Sequence, residues 1–288
     1  MTRERILAMF VVVAPAVAVI AAVALWLDGI APTPTDLIVF AVGVSATMAG
    51  VELGYHRYFA HRAFTARPAL VWLLGALGSS AFLGPLLWWV STHRRHHAVT
   101  DRAGDPHSPH WPFSGARGLV HAHAGWLFRP EYTAMTVSAG EVKDLWQSPR
   151  AISLHRTYLI WGVLGLVIPA LIGFAVDGPR GALTGFLWGG MIRVFVVSHT
   201  VWAVNSFGHS LGGRARSPHS GQARNSTWLA VPALGGGNHA NHHDSPRGYT
   251  TRVRWWEIDV GAALLRVLSV FGLVSDLKQP TLSKTSRE

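Results

Sequence analysis

Long apolar runs restrict this chain more than any other feature. Five stand out, at about 6–27, 35–54, 69–90, 158–176 and 182–204. A helix needs about 20 residues to cross a hydrocarbon core of about 30 Å, so each run is close to membrane length. In lipid every backbone polar group must pair internally, which leaves helices as the natural reading of such runs. The mean hydropathy of +0.26 agrees. The first run follows Arg3 and Arg5 and holds small residues, as a secretory signal would. Its apolar stretch is too long for the usual signal core and a second run follows closely, so it reads as a membrane anchor.

Orientation comes from the arginines. Segment 28–34 carries none, whereas the segments after 55, between 91 and 157, and after 205 carry many. The positive-inside rule places those three, and the N-terminus, in the cytosol. One run then conflicts with the rest. If 69–90 crossed once, its Arg- and His-rich flanks would lie on opposite faces. Pro68, Gly75, Gly78, Gly84 and Pro85 also interrupt it. The run is therefore predicted to lie at the interface or to dip in and return. The expected architecture is a single all-α integral membrane domain with transmembrane helices at about 6–27, 35–55, 158–176 and 182–204. A helical cytosolic cap is built from 56–156 and 205–275, and the polar tail 276–288 is expected to fray.

Composition closes several routes. Cysteine is absent, which excludes disulfides, thiolate nucleophiles and thiolate metal sites. The net charge of +10 has no separate basic domain or nucleic-acid motif behind it, so a nucleic-acid partner is not expected. The arginines suit an anionic membrane face instead. Any metal must be held by His, Asp, Glu, Asn or water.

Sixteen histidines are the anomaly, and most are clustered. The clusters are His56-Arg-Tyr-Phe-Ala-His61, His93-Arg-Arg-His96-His97 and His239-Ala-Asn-His242-His243, with Asn205-Ser-Phe-Gly-His209 leaving the last run. Positions i+3 and i+4 share a helical face with i, so each triplet can offer several imidazoles to one small volume. His56 and His61 are about 140° apart on an ideal helix, which suits a distorted helix end or two ions. Imidazole binds iron, copper, zinc and nickel. Nine rings exceed the places on one ion, so two ions are the economical reading. The scattered His107, His110, His121, His123, His155, His199 and His219 read as interfacial or capping residues.

The boxes resemble those of membrane fatty acid desaturases of the acyl-CoA Δ9 (stearoyl-CoA desaturase-like) class, most closely their bacterial branch. The resemblance runs over about 35–275 and includes GYHRYFAHRAF at 54–64, WWVSTHRRHH at 88–97, DRAGDPHSP at 101–109, HAHAGWLF at 121–128, WAVNSFGH at 202–209 and WWEID at 255–259. It implies a non-haem diiron centre with His56, His61, His93, His96, His97, His209, His239, His242 and His243 as direct ligands and Asn205 acting through water. It implies that Trp89 and Trp202 line a bend in an acyl tunnel. The implied activity is an O2-dependent cis desaturation of a long acyl chain, of Δ9 type, in a bacterial cytoplasmic membrane with termini and active site cytosolic. Hydroxylation, acetylenation or a specialised natural-product desaturation on the same scaffold is the alternative. Asp101, Asp105 and Asp244 are candidates for outer partners of the ligands.

Two departures stand out. The family commonly carries an acid before its last box, and here that place is Gly236. Animal members carry an Arg-Asp pair before the second box, and here Ser91 and Thr92 stand there. The carrier of the chain is therefore open between CoA, acyl-carrier protein and lipid. Electrons are expected from a ferredoxin, rubredoxin or cytochrome b5-type donor with its reductase, docking on the basic face. Small residues Val44, Ser45, Ala46 and Thr47 on the second run leave room for a deep tunnel. A haem cytochrome or a metal sensor is the reading from another class, but the boxes lie in polar flanks rather than facing each other within spans.

Overall fold

Thr33 starts the second long helix by a reciprocal cap. Its hydroxyl accepts from the Asp36 N–H at 3.1 Å, and the Asp36 carboxylate accepts from the Thr33 N–H at 2.8 Å. Pro34 occupies the first turn, where its missing N–H costs nothing. The computed structural model describes residues 3–133, 137, 139–214 and 221–281. His219, read above as interfacial or capping, and tail residues 282–288 lie outside the described residues.

Helix α1 (Arg3–Leu27) packs through Ala18 and Ala22 on Leu187, Met191 and Ile192, and α2 (Pro34–Ala49) runs on without a break into a π-helical segment, Gly50–Ala60. The segment from Tyr158 to His209 is a helical hairpin. Helix α5 (Tyr158–Gly185) leaves helical geometry at Asp177 and at Gly178, whose φ is +56°. The two arms then return against each other so closely that a Cβ at Gly173 would sit 2.0 Å from the Gly181 carbonyl. A second π-helical stretch, Phe186–Ile192, leads into α6 (Arg193–Ser206). Arg5–Leu27, Pro34–Ala60 and Tyr158–His209 are the stretches long and apolar enough to cross a membrane. Exposed Ile20, Ile38, Leu171 and Phe174 give them the apolar outer surface that lipid requires.

The run at 69–90 is broken, as its glycines and prolines anticipate. It forms α3 (Pro68–Ser79) and, after a turn, α4 (Leu86–Ala98). The 12 residues of α3 measure about 18 Å, too short for a bilayer crossing. Helix α3 lies against the π-helical segment, where Tyr55 and Ser79 share a 2.9 Å hydrogen bond. The rest of the described chain includes the shorter helices α7 (His239–Asp244) and α8 (Val260–Val270).

The chain is mostly helical, with two short antiparallel pairings, Thr65–Ala66 with Val274–Ser275 and Gly213–Arg214 with Arg224–Asn225. The described residues past 276 are held by hydrogen bonds. The Lys278 N–H donates to the Ala63 carbonyl at 3.0 Å, and the Thr281 N–H to Ser245 Oγ at 2.9 Å. The short ribbon carries the chain back over the first histidine box and ties it there.

Candidate metal centre

The nine clustered histidines converge. His56, His61, His93, His97 and His242 form one group, and His96, His209, His239 and His243 a second; the candidate ligand atoms within each lie within 4.8 Å of one another. The π-helix explains the first pair. Its bonds run from i to i+5, and the His61 N–H donates to the His56 carbonyl at 3.1 Å. Residues that an α-helix would splay apart are thereby brought edge to face, with ring centroids 4.8 Å apart.

The His-His pairs explain why there are two groups. Adjacent residues on a helix point about 100° apart. On α4, His97 turns to the first group with His93, and His96 to the second. On α7, His242 joins the first group, and His243 the second with His239. Two short helices thus each supply both groups. His56 and His93 also bring the two ends of the 62–92 segment to one place, with ring centroids 4.8 Å apart.

Carboxylates fix the rings. His56 Nδ1 donates to Glu52 at 2.9 Å, His209 Nδ1 to Asp101 at 2.9 Å, and His96 Nδ1 to both oxygens of Asp105 at 3.0 Å. With the proton held on Nδ1, each Nε2 keeps its lone pair. Those Nε2 atoms then face other Nε2 atoms: His56 and His242 at 3.0 Å, His209 and His239 at 2.9 Å, His96 and His243 at 3.3 Å. His61 and His93 approach to 2.8 Å, and His97 lies 3.1 Å from His93 and 3.0 Å from His242. Lone pairs so placed repel unless a cation lies between them. Two nitrogens each about 2.1 Å from a shared ion and at right angles are about 3.0 Å apart, so the donor set fits two metal ions.

The electrostatics agree. Burial first, and then the neighbouring imidazoles, lower the pKa values of His61, His93, His97, His239, His242 and His243 well below the ordinary value, which keeps them neutral for ligation. Burial would raise the Asp105 carboxyl, but His96 outweighs it and lowers the pKa to about 2. Asp101 is likewise lowered against its burial by His209.

Several partners escape a reading by sequence. Glu52 also accepts from Arg57 Nε at 3.0 Å, and the buried Arg57 donates on to Asp259 at 2.9 Å and to the Tyr249 carbonyl at 2.6 Å. This network braces the first group from beneath. Gly236 lies against it, since a Cβ there would be 3.6 Å from the Glu52 carboxylate. The place where an acid at 236 would act is thus already served from position 52. His107 and His110 are more than surface residues. His107 is buried against His96, with ring centroids 4.4 Å apart, and its Nδ1 has no partner among the described residues. His110 Nε2 donates to the His209 carbonyl at 2.9 Å. His123 and His199 pair with each other at 2.9 Å, away from both groups.

An apolar cavity of about 310 Å³ leads to the site. Trp89, Thr92, His93, Trp202 and Asn205 line the end nearest the histidines. His107, beside His96, and Trp126, beside His107, line it too, together with residues of α1 and α5. Ser91 faces away from this cavity and donates to Glu141.

The model of the family described as "Fatty acid desaturase" matches residues 35–268. The chain belongs to the fatty acid desaturase family. Among its relatives is a hex-5-enoyl-[acyl-carrier protein] acetylenase of Moorena producens, 39% identical over 93% of this chain and 84% of its own length. A probable acyl-CoA desaturase of Schizosaccharomyces pombe is 33% identical over 85% of this chain and 50% of its own. An sn-1 stearoyl-lipid 9-desaturase of Synechocystis is 30% identical over 81% and 68%. The chain thus spans about half the length of the fission-yeast relative. As a member of this family it is an oxidoreductase of acyl-lipid metabolism.

Proposed function

We propose that this protein is an O2-dependent fatty acyl desaturase with a diiron centre held by the nine histidines, and that Asn205 completes the four-histidine site through water. The observation that carries this is the pair of Nε2 clusters at the end of an apolar cavity. Two irons held there would supply the oxidation that takes two hydrogens from adjacent carbons, with O2 leaving as water.

The chain's own residues do the rest. Glu52, Asp101 and Asp105 hold ring protons at Nδ1 and so aim each Nε2 inward. The indoles of Trp89 and Trp202 hold the acyl chain beside the ligands, so the position of attack is set by packing. The apolar lining excludes water from the reacting carbons. Four helical crossings, with the hairpin at Asp177 and Gly178 turning outside, would place the cap and termini on the cytosolic side of a bacterial membrane. Electrons would come from a small redox protein, for which Lys143 and Arg247, with Arg62 and Arg94 held by Asp144, line a depression beside His61.

Acetylenation is the second reading, and the relative named for it supports it. The same relative is named for a chain on acyl-carrier protein, and Ser91 and Thr92 stand where the Arg-Asp pair would. We therefore assign acyl-carrier protein as the carrier. Expression in a host without its own desaturase tests the activity: a new double or triple bond is expected, and it should vanish, with iron content, in His96→Ala and His242→Ala. Product at the wild-type level from either variant would sink the assignment.

A further inference from the structure

We infer that the cavity ends blindly at the metal centre, so that this protein measures its substrate from the methyl end of the acyl chain. The inference rests on the desaturase reading and adds which carbons are oxidised. Leu83, Trp89 and Val201 line the cavity. Behind them they pack onto a cluster of Met48, Val51, Ala81, Val197 and Ala233, each no more than 3% exposed. Val44, expected to leave room for a deep tunnel, packs into the same cluster. Interiors are close-packed, so this plug leaves no path for a chain to continue.

A cation backs the plug. Arg193 on α6 is 2% exposed. Its guanidinium donates to Thr47 Oγ1 at 2.8 Å, to the Ser80 carbonyl at 3.1 Å, to the Gly165 carbonyl at 3.0 Å and to the Gly189 carbonyl at 2.9 Å. Thr47 precedes Met48 in the chain, and Ser80 precedes Ala81. The residues that seal the cavity are therefore fixed by the residues that satisfy the cation. A chain that pushed past Met48 would meet a charged group whose hydrogen bonds it cannot replace. Carbons beside His93 and Asn205 consequently have only a few carbons beyond them. Suitable substrates are short or medium acyl chains, or longer chains attacked near the methyl end. This differs from the Δ9 outcome that the family resemblance implies, in which a long tail lies beyond the metals.

The full-length protein, expressed in a desaturase-free bacterial host fed six-, ten- and sixteen-carbon fatty acids, tests this by mass-spectrometric location of the new bond. The expected result is a constant distance from the methyl end across the three lengths. Met48→Ala or Val197→Ala, neither of which touches the histidines, should move the bond away from the methyl end and at least double the share of product from the sixteen-carbon chain. If one of these fails to fold, the other and the wild-type series still decide. A constant distance from the carboxyl end, with a long saturated tail beyond the bond, overturns the inference and leaves the desaturase reading standing. If the wild type oxidises none of the three chains, the desaturase reading falls and this inference with it.

Discussion

Replacing Glu52 by Gln isolates what holds the five-histidine group in place. The carboxylate accepts from His56 Nδ1 at 2.9 Å and from Arg57 Nε at 3.0 Å, and the side chain is 9% exposed. Gln keeps the shape and removes the charge. Charged hydrogen bonds contribute about 1.5–3 kcal/mol and neutral ones about 0.5–1.5; Gln offers one oxygen to the two donors, so one bond weakens and the other is lost, at a cost of about 3–4 kcal/mol of stability. Arg57 is not left uncompensated, because Asp259 still holds it. The larger effect falls on the metal. Losing an outer partner typically weakens binding about 10–100-fold, and only the group containing His56 depends on Glu52. Anaerobic Fe(II) titration against a competing chelator should therefore show one weakened iron and one unchanged. Gly236→Glu in the wild type should destabilise, since it sets a second carboxylate against Glu52. In the Glu52→Gln background it should recover part of the lost affinity, a non-additivity that a double-mutant cycle measures. Two irons bound by Glu52→Gln with wild-type affinity would refute the reasoning.

The opposite group answers to other carboxylates. Asp101→Asn and Asp105→Asn should each weaken the second iron about 10–100-fold while sparing the first, read in the same titration. Arg193→Met should lower the melting temperature of the full chain in detergent, because it strands the carbonyls of Ser80 and Gly165 in the bundle at a cost of about 1–3 kcal/mol each. Lys cannot span the same partners, so Arg193→Lys should rescue only in part. Asp144 gives a pH dependence. Burial would raise its pKa, but hydrogen bonds from Arg94 and Arg62 lower it to about 2. Its contribution is present above the unfolded value of about 3.9 and is lost as the pH falls toward about 2. Asp144→Asn should therefore flatten the acid limb of the stability curve over that window, and an unchanged limb would remove Asp144 from it.

Much of this site is legible in the sequence because histidine pairs at helical spacing leave few options. The runs at 6–27, 35–54, 158–176 and 182–204 become long helices, and the broken run at 69–90 was readable from its own glycines and prolines together with the flanking boxes. What was not legible depends on geometry that α-helical periodicity does not encode. The 140° between His56 and His61 is an obstacle only on an α-helix; the π-helical turn removes it, and nothing in the spacing announces a π-helix. Periodicity put His96 and His97 on one face, whereas the helix divides them between two groups. Glu52 lies inside an apolar run and reads as part of a span, yet it stands where Gly236 lacks an acid. The missing acid was visible as a gap in a motif. Its replacement was 184 positions away in the chain and became visible only when the π-helical segment and α7 were brought into contact. The small residues after Val44 misled for a related reason. Small size implies space only if nothing else fills it, and here Arg193 draws Thr47 and Ser80 together and closes the space they border. Residue identity thus picked out the histidines that converge, while their division into two groups and their carboxylate partners were decided by contacts between distant segments.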